Sequence, residues 1–114
     1  MSARTVLRLL FTLILVGMVL VTTWASLEQP VWAFGGLQGP DRAWTIATLC
    51  DAYAGFLTFY AWVYYRERGA LARSGWLVAI LLLGNMAMSA YVLIALARLP
   101  ADAPLERLLL RSPA

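Results

Sequence analysis

The chain contains no histidine, no lysine and a single cysteine, Cys50, among its 114 residues. Without histidine and with one thiol, the ligand sets of zinc, haem and iron–sulfur centres cannot be assembled, and no intrachain disulfide can form. No cofactor is evident, and Cys50 is expected to act as a small packing residue. Charge is scarce as well: 13% of residues are Asp, Glu, Lys or Arg, about half the share usual in soluble domains. The net charge of +3 rests on nine arginines, which stand at the ends of apolar segments and form no basic tract. That distribution argues against nucleic-acid binding.

What fills the chain is apolar, 62% of its residues, which points to an integral membrane protein of the all-α class. A bilayer core of about 30 Å needs roughly 20 apolar residues at about 1.5 Å each. Residues 7–27, 43–65 and 75–98 satisfy this and are expected as three transmembrane helices in one membrane domain. Arg4 and Arg8 ahead of the first apolar run also fit a signal peptide. The run is long for one, however, and Thr23-Trp24-Ala25 is a poor cleavage site, so a retained helix is expected.

The first connection, 28–42, carries Pro30, Gly35, Gly36, Gly39 and Pro40, which break helices. Its apolar tip, Val31-Trp32-Ala33-Phe34, suits the headgroup layer, and Asp41 stands where an N-cap would. The second, 66–74, is short and basic and should force helices two and three into an antiparallel hairpin. Pro100 ends helix three, and the tail 99–114 is expected to hold a short interfacial helix with Leu105, Leu108 and Leu109 on one side.

With three spans, Arg4, Arg8, Arg66, Arg68 and Arg73 fall on one side, and Arg42, Arg98, Arg107 and Arg111 on the other. Five against four, with the five close to the early helices, predicts a cytoplasmic N-terminus and an exterior C-terminus in a bacterial inner membrane. Trp24 and Trp44 at the outer level, and Trp62 and Trp76 at the inner, are expected as interfacial anchors.

Asp51 stands out because it lies well inside an uncharged, membrane-length stretch, where a carboxylate costs about 2.5–3.5 kcal/mol. Thr48, Asp51, Gly55, Thr58 and Trp62 recur at helical spacing and share a face, with Gly55 expected to admit a close backbone. On the third span Asn85 and Ser89 are four apart, flanked by Gly84, and a straight hairpin would set them near the depth of Asp51. The expected intramembrane polar site is therefore Asp51, Asn85 and Ser89, with Thr48, Thr58, Gly55, Gly84 and Tyr53 around it.

No nucleophile, metal set or phosphate-binding loop accompanies these groups, so an enzyme is not expected. The leading expectation is an accessory, assembly or interaction subunit that uses the Asp51/Asn85 hairpin for packing or docking, in contact with the lipid bilayer and with a membrane-protein partner or further copies of itself. One alternative is a lipid- or small-hydrophobe-binding helper of membrane lipid modification. Another is a small proton-coupled carrier acting as an oligomer.

The run Asp51-Ala52-Tyr53-Ala54-Gly55-Phe56-Leu57-Thr58-Phe59-Tyr60, the following Arg66-Glu67-Arg68 and the pair Gly84-Asn85 together resemble a family of small membrane proteins of unknown function with bacterial and plant members. The resemblance extends to Thr22-Thr23-Trp24-Ala25-Ser26 and covers nearly all of the chain except its tail. It implies a three-helix architecture and a shared motif containing Asp51 and Asn85, and it implies no activity.

Overall fold

A computed structural model describes residues 2–111; residues 112–114, the end of the expected exterior tail, lie outside the described part. Among the described residues the fold is all-α, with four helices, two short 3-10 turns and no strand. Helix α1 spans Ala3–Glu28, α2 Arg42–Arg66, α3 Ala70–Leu83 and α4 Asn85–Arg98. The 3-10 turns are Val31–Ala33 and Leu105–Leu109.

Helices α1 and α2 are long and apolar enough to cross a membrane. Ser2 caps α1 by accepting from the amide of Thr5, and the chain leaves the helix at Gln29 ahead of Pro30. Asp41 precedes α2 but makes no side-chain capping bond, contrary to the sequence expectation; its backbone, φ −91° and ψ 13°, is far from the extended shape that aims a cap at the free amides.

The expected third span is not one helix. It breaks at Gly84 into α3 and α4, each of 14 residues and about 21 Å long, so neither reaches across a bilayer core. Gly84 has φ +55° and ψ −122°, a conformation that L side chains avoid, and a Cβ there would meet Phe56 Cζ at 2.7 Å. The chain folds back: Trp76, eight residues before the hinge, stacks edge-on against Tyr91, seven residues after it, with ring centroids 4.9 Å apart.

Packing follows from this V. Helix α3 runs antiparallel to α2, tied by Tyr60 Oη donating to the Arg73 carbonyl near its start and by Phe56 against Gly84 at its end. Helix α4 runs antiparallel to α1, with Leu7 and Phe11 packed against the cluster of Val92, Ala95, Leu96 and Leu108. A second cluster of Val63, Ile80, Ala87 and Tyr91 joins α2, α3 and α4. The tail forms a short 3-10 helix, Leu105–Leu109, whose Leu105 and Leu108 dock into the α1/α4 cluster while Leu109 stays exposed.

Fold-back also brings the C-terminal segment to the end of the molecule that holds the N-terminus and the α2–α3 turn. Arg4 donates to the carbonyls of Leu99 (3.2 Å), Pro100 (2.9 Å) and Ala103 (3.4 Å). Arg66 Nε donates to Leu110 O and Arg111 Nε to Tyr65 O, at 3.3 and 2.9 Å. Both ends of the described chain thus lie at one pole.

Candidate functional site

The hinge gathers part of the expected polar site. Breaking a helix strands the carbonyls of its last turn, and in an apolar setting they need partners. Tyr53 supplies one by donating its hydroxyl to Leu81 O at 3.2 Å, while its ring rests edge-on against Phe56. Tyr53, Phe56 and Gly84 thus form one unit that ties the hinge and the end of α3 to α2.

Asp51 does not join it. Its side chain is exposed and makes no hydrogen bond among the described residues, so the expected contact with Asn85 and Ser89 does not form. The V turns at the level of Phe56, and Asp51 lies five residues, about 7.5 Å, farther along α2. Asn85 is exposed at the first position of α4, whereas Ser89 is buried within the bundle. Thr58 satisfies its own hydroxyl by donating to the Ala54 carbonyl one turn back. Gly55 is exposed with nothing within 4 Å of where a Cβ would stand, so the described chain brings no backbone close to it. Thr48 lines a shallow hollow with Phe34, Trp44, Thr45 and Leu49, and Cys50 is free and exposed.

The tryptophans divide. Trp24 and Trp44 are exposed, as anchors would be, but Trp62 and Trp76 turn inward onto Tyr91. The Nε1 of Trp62 is buried and has no hydrogen-bond partner among the described residues.

Most of the polar chemistry lies at the shared pole, away from the expected Asp51 site. Arginines there cap the exposed carbonyls at helix ends, as guanidinium groups do well. Arg73 Nε donates to Glu67 O and Tyr64 O, at 2.8 and 3.1 Å, with its guanidinium 3.7 Å from the Tyr64 ring centre. Tyr91 donates to a Glu67 carboxylate oxygen at 2.7 Å and accepts from Arg66, whose guanidinium also lies over the Trp62 ring. Burial first, then the hydrogen bond to Glu67, push the Tyr91 phenol up from 10.0 to about 12, so it stays a donor at any physiological pH.

Beside this network a half-enclosed cavity of about 770 Å³ opens between α3, α4 and the tail. Four arginines, Arg66, Arg98, Arg107 and Arg111, face one carboxylate, Glu67, and Trp76, Ile94 and Leu110 contribute apolar wall. Arg98 and Arg107 are exposed and make no hydrogen bond or ion pair among the described residues. The sequence held a signal for this site in the arginines after residue 97, but a straight third span assigned them to the opposite side.

No curated protein and no solved structure matches this chain. A family model described as a protein of unknown function, DUF1475, matches residues 4–113, which take in both long helices, the Gly84 hinge and the arginine-rich pole. The chain belongs to that family.

Proposed function

We propose that this chain is a non-enzymatic protein of the cytoplasmic membrane, with α1 and α2 as spanning helices and the α3–α4 V as a re-entrant element, and that it serves as an accessory subunit docking a partner helix at Asp51. One observation carries this: Asp51 is exposed and makes no hydrogen bond among the described residues, on a helix long enough to cross a bilayer. A carboxyl group facing hydrocarbon is expensive, and the natural relief is a hydrogen-bonding or cationic side chain from a neighbouring helix. Exposed Leu49, Trp44 and Leu57 along the same helix offer the surrounding apolar contact. Broken helices fit within a membrane when neighbouring groups satisfy the freed backbone, and Tyr53 does so for Leu81.

The test is photo-crosslinking in cells from position 48 or 55, one turn either side of Asp51. The expected result is a discrete adduct with one membrane protein or a second copy, retained in Asp51→Asn and lost in Asp51→Leu. Adducts with lipid alone, indifferent to Asp51→Leu, would reject the docking role.

A further inference from the structure

We propose that the arginine-lined cavity at the shared pole binds an organic phosphate presented as the head of a membrane amphiphile, such as an anionic phospholipid. Its volume, about 770 Å³, suits a headgroup and the first part of an acyl chain. Four guanidinium groups against one carboxylate leave the cavity strongly cationic, and guanidinium does not shed its proton to relieve that. Glu67, which accepts from Tyr91, offsets one of these four charges and leaves the cavity with a clear cationic excess.

The arginines are not equivalent. Arg66 is anchored by Tyr91 and Leu110 and Arg111 by Tyr65, so both have structural work that explains their presence. Arg98 and Arg107 have none among the described residues, yet they converge on the same cavity from α4 and from the tail. Two uncompensated forks facing one space are suited to a phosphate, which can accept from both at once. The wall of Trp76, Ile94, Leu99 and Leu110 asks for an apolar continuation that a free anion lacks. The pole closes one end of two membrane-length helices, the level at which lipid phosphates lie. This assignment rests on the proposed membrane arrangement and is independent of docking at Asp51.

The test uses Trp76 as a built-in reporter. The full chain is placed in nanodiscs of phosphatidylcholine, and phosphatidylglycerol with brominated chains is titrated in, with brominated phosphatidylcholine as the neutral comparison. The expected result is saturable quenching by the anionic lipid, weakened about tenfold or more in Arg98→Gln/Arg107→Gln, since each lost charge-assisted pair is substantial. Trp76→Phe should remove the saturable component, and Arg42→Gln, at the other pole, and Asp51→Leu should leave it unchanged. Equal quenching by both lipids, or an unaltered titration in the double arginine variant, would overturn the proposal. Competition by inorganic phosphate without any preference among lipids would show a soluble anion site and overturn the amphiphile.

Discussion

Gly84→Ala puts the fold-back to its most direct test. At φ +55° and ψ −122° an L side chain carries roughly 1–3 kcal/mol of backbone strain. The new Cβ would also stand 2.7 Å from Phe56 Cζ, and moving a ring wedged against Tyr53 adds about 1–3 kcal/mol. The hinged form should therefore lose about 2–6 kcal/mol, while a straight helix gains about 1 kcal/mol from replacing glycine with alanine. Straightened, Ala70–Leu83 and Asn85–Arg98 would make a helix of about 43 Å, long enough to cross, and the tail would leave Arg4, Arg66 and Tyr65 for the opposite side. The assay is a pair of reporters, one at each terminus, active on only one side of the membrane, together with SDS-titrated unfolding. In the natural chain both termini should report from the same side; Gly84→Ala should lower stability and place part of the population with its C-terminus across. Gly55→Ala, with open space at its Cβ, is the control and should be neutral or mildly stabilising. Termini on opposite sides in the natural chain, or a Gly84→Ala variant as stable as the parent, would refute the hinge.

Three further outcomes follow from the same geometry. Tyr53→Phe keeps the ring contact with Phe56 but strips the Leu81 carbonyl of its donor, and should lower unfolding stability by about 1–2 kcal/mol. Trp62→Phe removes a buried, unpartnered N–H, so it should be neutral to within about 1 kcal/mol in the same titration, whereas Trp62→Ala should lose about 3 kcal/mol by opening the Tyr91 cluster. Because Tyr91 holds its proton to about 12 when folded and releases it near 10.0 when unfolded, its contribution is complete below pH 10 and is lost as pH rises from there to about 12; Tyr91→Phe should remove that part of an alkaline unfolding profile.

The helical class and the two long helices were legible in the sequence. Residues 7–27 and 43–65 correspond to Ala3–Glu28 and Arg42–Arg66, because sustained apolar length is a property of composition and survives any packing. The break at Gly84 was not legible. A lone glycine inside an apolar run is tolerated in most helices, and hydropathy averaged over a span does not register one residue. Its conformation is fixed by partners distant in sequence, Phe56 beneath it and Tyr53 on the freed carbonyl, which no local pattern reveals. Everything that depended on a straight third helix then shifted together. Counting along one straight axis sets Asn85 and Ser89 near the depth of Asp51, whereas α4 turns back toward the pole. Trp76 was an interfacial anchor on a straight span and becomes a core ring on a folded one.

Orientation separates the two architectures most sharply. Three straight spans divide the nine arginines five to four, a margin that losing Arg66, Arg68 and Arg73 would reverse to two against four. The fold-back instead gathers Arg98, Arg107 and Arg111 at the pole of Arg4, Arg8 and the α2–α3 turn, leaving Arg42 alone at the other end, eight against one. Basic residues near helix ends are retained in the cytoplasm, so that pole should face inward by a wide margin. Replacing Arg66, Arg68 and Arg73 with glutamine leaves five against one, and the N-terminal reporter should stay cytoplasmic even if the loss of the Arg73 clamp on Tyr64 and Glu67 lowers abundance. Inversion of the triple variant would mean that Arg98, Arg107 and Arg111 count for the opposite side, and the cavity they line could not then exist as described.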